Sequence, residues 1–139
     1  MASKPESTFI TSLHRHFPSK EVPYHMKNHN VYNGGIPDVW YSGRHGDMWV
    51  EYKFIEVPKR LTTVIVPNLS ELQLQWLSDR QCEGRNVYVI IGCKSGGMVL
   101  SGTEQWRNGI TTEQFQNALQ TRKQLADWIT QICVGEAMH

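Results

Sequence analysis

Apolar and polar positions recur along this chain with two different periods, and the changes of period mark its elements. Near the start, Phe9, Ile10, Leu13 and Phe17 fall at helical spacing behind Ser3-Lys4-Pro5-Glu6. That arrangement predicts a helix opened by a serine cap, an early proline and a glutamate three residues after the cap. Strand alternation comes next. Met48-Trp49-Val50-Glu51-Tyr52-Lys53-Phe54 is rich in aromatic and β-branched residues, so residues 49, 51 and 53 share one face and 48, 50, 52 and 54 the other. Asp38-Val39-Trp40-Tyr41-Ser42 is also strand-like, and the glycine-bounded Ser42-Gly43-Arg44-His45-Gly46-Asp47 supplies the turn that joins both into a hairpin.

A second helix is predicted from about residue 71 to 83, between the capping pair Ser70 and Gln73 and the terminator Gly84, with Leu69, Leu72, Trp76 and Leu77 as its apolar face. Residues 86–93 form the most hydrophobic run of the chain. They are too short for a helix of that character and read as a central strand covered on both faces. A turn over residues 94–97 leads to a returning strand at 98–101. Residues 102–109 read as irregular. From Thr111 and Thr112 one long terminal helix is expected, with Phe115, Ala118, Leu119, Ala126, Ile129 and Cys133 on one face. The order of helix, strands, helix, strands, helix describes an α/β (α+β) chain. A single domain is expected over residues 1–139, with a core over about residues 4–101 and a C-terminal helical extension over about 111–133.

Composition narrows the class. A chain of 139 residues can bury a core without disulfides or structural metals, and five tryptophans with 40% apolar residues argue against disorder. Cys82, Cys93 and Cys133 are odd in number and lack metal-type spacing, so reduced thiols in a cytoplasmic protein are expected, in the host cytoplasm if the gene belongs to a phage. The first twenty residues are polar and interrupted by charges, and no apolar run is long enough to span a membrane. Fourteen Lys and Arg against thirteen Asp and Glu give no basic surplus, so composition does not by itself call for a polyanionic partner. Local clusters remain in Lys59-Arg60, in Arg80 with Arg85, and in Arg122-Lys123.

The candidate chemistry lies in Gly35-Ile36-Pro37-Asp38 and, after it, Glu51-Tyr52-Lys53. Strand alternation projects Glu51 and Lys53 together, about 7 Å apart. Pro37 fixes its own φ and holds Ile36 extended, so the chain arrives rigidly at Asp38. Two carboxylates able to hold a divalent cation, with an amine to orient water and offset negative charge, suit phosphodiester hydrolysis. The same residues also fit an exposed turn aspartate and an ordinary Glu and Lys pair. Glu6 has two readings, which are compatible: it completes the Ser3 capping box, and it stands at the top of the buried stripe, where a carboxylate needs a partner. His14 and His16 lie two apart and share no helix face, which argues against a local zinc pair. His25, His29 and His45 are candidate proton shuttles by virtue of their ordinary pKa.

Taken together, Glu6, Gly35-Ile36-Pro37-Asp38, Glu51-Tyr52-Lys53 and Ser70-x-x-Gln73 resemble the PD-(D/E)XK nucleases, and within them the small virus-type replication and repair (VRR-NUC) domains and archaeal-type Holliday junction resolvases. The resemblance covers about residues 4–101. It implies a restriction-endonuclease-like αβββαβ core, with a mixed central sheet flanked by helices. It further implies that Asp38 and Glu51 bind Mg²⁺, with Mn²⁺ able to substitute, that the Tyr52 backbone carbonyl completes the coordination, and that Lys53 acts on the attacking water. Gln73 would support Lys53 or the phosphate, and Glu6 would hold a water on the metal or a second ion. Residues 54–68 are longer than the link expected in the resolvases; they either contact DNA through Lys59 and Arg60 or form an edge ribbon bounded by two prolines.

The expected function is therefore that of a divalent-metal-dependent DNA endonuclease in phage-type replication, recombination or repair. Holliday junctions or other branched DNA are its candidate substrates, and a 5′-phosphate and a 3′-hydroxyl its products. A homodimer is expected, because a symmetric double cut needs two sites. The alternatives are a sequence-specific homing or restriction-type endonuclease on the same core, and a non-catalytic DNA-binding or assembly protein that has kept the fold.

Overall fold

The computed structural model describes residues 3–28 and 34–135. In chain order its elements are α1 (Lys4–His14), β1 (Tyr24–Lys27), β2 (Val39–Ser42), β3 (Asp47–Phe54), β4 (Val64–Ile65), α2 (Glu71–Cys82), β5 (Val87–Cys93), β6 (Gly96–Leu100), α3 (Thr103–Asn108), β7 (Ile110–Thr111), α4 (Thr112–Asn117) and α5 (Arg122–Val134). Five strands form a mixed sheet in the order β1-β2-β3-β5-β6, and β4 pairs with β7 in a separate ribbon. Only β3 and β5 run parallel, joined through α2, while the other pairs of the main sheet are antiparallel.

Strand alternation sorts the side chains into two cores. Met48, Val50 and Tyr52 of β3, with Val39 and Tyr41 of β2, pack against Phe9, Ile10 and Leu13 of α1 and Leu125, Ala126 and Ile129 of α5. On the opposite face Val87, Val89 and Ile91 of β5 meet Leu74 and Leu77 of α2, Trp106 of α3 and Phe115 of α4. Burial of side chains of this size supplies about 1.5–3 kcal/mol each. The expected hairpin forms as read, with Ser42 opposite Asp47 and the Gly43 N–H donating to the Gly46 carbonyl at 2.9 Å. As expected, β5 is the covered central strand; its seven residues are buried apart from a half-buried Tyr88.

Four features differ from the sequence reading. Strand β1 was not expected: its four residues carry no buried position, so the strand state comes from its pairing with β2 rather than from its own pattern. In α2 the inward positions are Leu74 and Leu77, whereas Leu72 is 67% exposed; at about 100° per residue, Leu72 lies across the helix from Leu74. Residues 103–108 are the helix α3, held by a buried Trp106 whose Nε1–H donates to the Leu100 carbonyl at 3.0 Å. It closes at Gly109, which has φ 78° and no room for a Cβ against the Ile65 carbonyl. The long terminal helix is two helices. Gln120 and Gly97 exchange backbone hydrogen bonds of 2.8 and 2.9 Å between them, and Thr121 restarts the helix with a capping box to Gln124.

The stretch after β3 forms the expected ribbon. Val64 and Ile65 pair with Thr111 and Ile110, and Thr63 and Leu61 accept further backbone bonds from Thr112 and Glu113. Lys59 and Arg60 are exposed before it. The three cysteines are free, with Cys82 exposed and Cys93 and Cys133 buried. No helix among the described residues is long and apolar enough to cross a membrane. Across the α2 side of the sheet runs a row of rings, Tyr24, Trp40, Trp49 and Trp76, with successive centroids 5.9, 6.1 and 5.3 Å apart.

Candidate functional site

Asp38 stands one residue before β2, held from both sides. Its Oδ2 accepts the Tyr52 N–H at 2.9 Å, and its backbone carbonyl accepts the Asn28 N–H at 2.7 Å. The carboxyl is 6% exposed. Glu51, on β3, is 3% exposed and accepts from the Gln73 Nε2 at 3.1 Å. Lys53 Nζ lies 3.5 Å from the same Glu51 oxygen. Thus the residues predicted from the hairpin and the start of α2 do come together, because alternation turns Glu51 and Lys53 toward the α2 side and the first turn of α2 lies over them.

The electrostatics of the pair are unfavourable as it stands. Burial raises the Glu51 pKa to about 8, with the Asp38 charge adding to the rise and Lys53 opposing it. Burial also raises Asp38, against the Tyr52 N–H that favours its ionised form, and Glu6 pushes in the same direction as burial. Each carboxyl thus bears on the ionisation of the other, and Glu51 Oε1 is buried with no hydrogen-bond donor among the described residues. Two buried carboxylates this close cannot both ionise without a compensating cation.

The backbone adds a third oxygen. Trp49 donates its N–H to the carbonyl of Asn86, just before β5, and Ile55 to that of Gly92 on β5, whereas the Tyr52 N–H meets Asp38. In an extended strand the N–H and C=O of one residue point the same way, so the Tyr52 carbonyl also points to the Asp38 side. Continuing the register of Val39 opposite Val50 places Pro37 opposite Tyr52, and proline has no N–H to offer. Asp38, Glu51 and this carbonyl are hard oxygen donors of the kind that Mg²⁺ or Mn²⁺ takes. They fit a divalent ion better than they fit each other.

Glu6 and Gln73 take more particular positions than the sequence reading gave them. Glu6 closes the α1 capping box, with Oε1 accepting from the Ser3 N–H at 3.3 Å. It is near enough to bear on Asp38, but among the described residues no three His, Cys, Asp or Glu side chains converge as a ligand set. Gln73 uses both ends of its amide: Oε1 accepts the Ser70 N–H at 2.9 Å while Nε2 holds Glu51. Its partner is therefore Glu51 and not Lys53. Gln73→Glu keeps the cap but sets a third carboxylate against Glu51. It should lower the melting temperature in chelator below that of Gln73→Ala, although Ala loses the reciprocal bond to the Ser70 N–H, at about 1 kcal/mol. Thermal melts of the two variants in EDTA check this, and the reverse order would remove Gln73 from the site.

Sequence reasoning passed over the network beneath the site. The Tyr52 hydroxyl bonds the Tyr41 hydroxyl at 2.6 Å, which in turn bonds His14 Nε2 at 2.7 Å. Burial, with help from His25 and Lys27, holds the His14 pKa down to about 3. The signal was available: His14 follows Ile10 by one helical turn, and Tyr41 and Tyr52 fall on the inward parity of their strands. His25 packs on the His14 ring, with centroids 4.3 Å apart. His45 lies in the hairpin turn against the end of α5, its N–H on the Cys133 carbonyl at 2.8 Å, and His29 lies outside the described residues.

No family model matches the chain, and no curated protein matches it in sequence. Among solved structures it is similar to Hjc of Archaeoglobus fulgidus, a Holliday junction resolvase from an archaeal hyperthermophile, with a TM-score of 0.57. The match covers 91% of this chain and 99% of that one at 12% sequence identity. The sheet of five strands flanked by helices is thus a restriction-endonuclease-like fold, shared with that resolvase in architecture.

Proposed function

We propose that the chain is a divalent-metal-dependent endonuclease that hydrolyses phosphodiester bonds in branched DNA, the Holliday junction foremost. The observation that carries this reading is the buried Asp38 and Glu51 pair with Lys53 Nζ 3.5 Å from Glu51, two carboxyls of which the lysine can offset one. Asp38, Glu51 and the Tyr52 carbonyl would hold Mg²⁺, or Mn²⁺ in its place. When bound, the ion supplies Lewis-acid stabilisation of charge on the phosphoryl oxygens. Lys53 orients the attacking water and opposes the negative charge that grows as the water attacks phosphorus in line. Gln73 fixes the Glu51 carboxylate, and the Tyr52 N–H fixes Asp38. The branched substrate is argued from the likeness to the archaeal resolvase. A symmetric pair of cuts calls for a homodimer.

A panel of four-way junction, flap, linear duplex and single strand, incubated with Mg²⁺ and with EDTA, tests the reading. The junction is expected to be cut fastest, in Mg²⁺ alone. Absence of cleavage of all four substrates in both Mg²⁺ and Mn²⁺ would refute it.

A further inference from the structure

One residue beyond Lys53 the strand turns its next side chain to the other face, and there a groove of about 480 Å³ opens between α1, α5 and the ends of the central strands. Lys4, Thr8, Ser12, Phe54, Lys94 and Arg122 give it its character. It holds three cations and two hydroxyls, and no carboxylate among the described residues lines it. A neighbouring groove shares Phe54 and Lys94 and continues past Ser95, with Glu56 on its wall. In a chain with a net charge of +1, three cations gathered without an acid concentrate positive potential in one place.

The three cations differ in what holds them. Arg122 is built in: Nη1 donates to the Lys94 carbonyl at 3.0 Å, Nη2 to the Cys93 carbonyl at 3.4 Å, and the guanidinium sits 4.9 Å from the centre of the Phe9 ring. Its Nε is buried without an acceptor. Lys4 and Lys94 are exposed, and none of the three forms an ion pair among the described residues. Charges left unpaired around an apolar floor suit a partner that carries regularly spaced anions.

The position decides which partner. Phe54 follows Lys53 on β3, and Lys94 follows Cys93 at the end of β5, where Phe54 stands opposite Gly92. Lys53 and Phe54 are thus neighbours where the candidate site and the groove meet, on opposite faces at the end of the sheet. We infer that this groove binds the sugar-phosphate backbone of the DNA strand that leaves the cleaved phosphate, with Lys4, Lys94 and Arg122 on successive phosphates. The inference rests on the endonuclease reading above, and it commits to a polyanionic strand in place of a second copy of the chain, whose matching groove would bring cations against cations.

The test is equilibrium binding of four-way-junction DNA in EDTA between 50 and 200 mM salt, for wild type and Lys4→Ala/Lys94→Ala. Arg122 is left in place because it props the end of β5. Loss of two phosphate contacts should reduce the slope of log K against log salt by about 2. Lys20→Ala/Arg85→Ala removes two exposed charges outside the groove and should keep the wild-type slope. An unchanged slope for Lys4→Ala/Lys94→Ala, or an equal fall for both double variants, overturns the groove while leaving the endonuclease reading intact. A wild type that binds with the expected slopes yet cuts no substrate upholds the groove and overturns the catalysis. A wild type that binds no DNA overturns both.

Discussion

Glu51→Gln, Asp38→Asn and Lys53→Met should each slow junction cleavage by about 10³-fold, equivalent to roughly 4 kcal/mol of transition-state stabilisation. Each substitution keeps side-chain volume, so packing is preserved. The two carboxamides weaken the cation site, because a neutral oxygen replaces a carboxylate that the ion would have neutralised. Lys53→Met leaves the oxygen donors untouched and removes only the ammonium beside Glu51. For Glu51→Gln the loss cannot be assigned to unfolding, since this variant removes one of two repelling buried carboxyls and should melt higher than wild type in EDTA at pH 8. Cleavage by Lys53→Met at the wild-type rate would exclude the lysine from the chemistry. A melt of Glu51→Gln below wild type under those conditions would show that the pair is not strained.

The second large effect is on stability, through pH and metal together. Folded Glu51 keeps its proton up to about 8, against an ordinary value of 4.5. Between those values the unfolded chain has released a proton that the folded chain retains, so this contribution is complete below 4.5 and lost as pH rises toward 8. His14 works in the opposite sense: its folded pKa near 3 against 6.5 contributes stability above 6.5 that is lost as pH falls. The two slopes oppose one another between about 4.5 and 6.5. Above 6.5 the carboxyl pair acts without that opposition, so in EDTA the melting temperature should fall between pH 6.5 and 8.

A bound divalent ion takes the place of that proton. At an ion concentration of 100 times Kd the stabilisation is about 2.7 kcal/mol, which for a domain of this size is a rise of roughly 10 °C. The rise should be larger at pH 8 than at pH 6.5, because binding must displace less proton there. Glu51→Gln should show little of either effect. Calorimetric scans at the two pH values, with EDTA and with Mg²⁺, decide the matter; equal metal-induced shifts at both would mean that the ion does not bind through this pair.

The candidate site was largely legible before the fold because its parts are local. Glu51 and Lys53 needed only a strand, and Asp38 only a hairpin turn, which the glycines at 43 and 46 announce. Gln73 was found through its capping role, yet its bond to Glu51 spans 22 residues and could not be read from spacing. The failures share a cause: the deciding interaction is distant or was passed over in favour of periodicity. Tyr24 to Lys27 are a strand because β2 lies beside them. The terminal helix was read as one because apolar spacing runs on through Ala118 and Leu119. The same signature of Thr and Gln three apart that opens α4 at Thr111 recurs at Thr121, and a capping pair inside an apparent helix marks a new beginning. Leu72 reads as inward because it falls at helical spacing with Leu69 and Trp76, whereas the sheet meets the face carrying Leu74 and Leu77.

The two middle members of the row of rings stand two residues from the carboxylates in sequence. Trp49 precedes Glu51 by two residues on one strand face, and Trp40 follows Asp38 by the same interval. Indole centroids 6.1 and 5.3 Å apart, as in Trp40, Trp49 and Trp76, are near enough for their near-ultraviolet transitions to couple. A divalent ion binding at Asp38 and Glu51 should therefore change the tryptophan dichroism and emission, so that a Mg²⁺ titration can be followed without any attached dye.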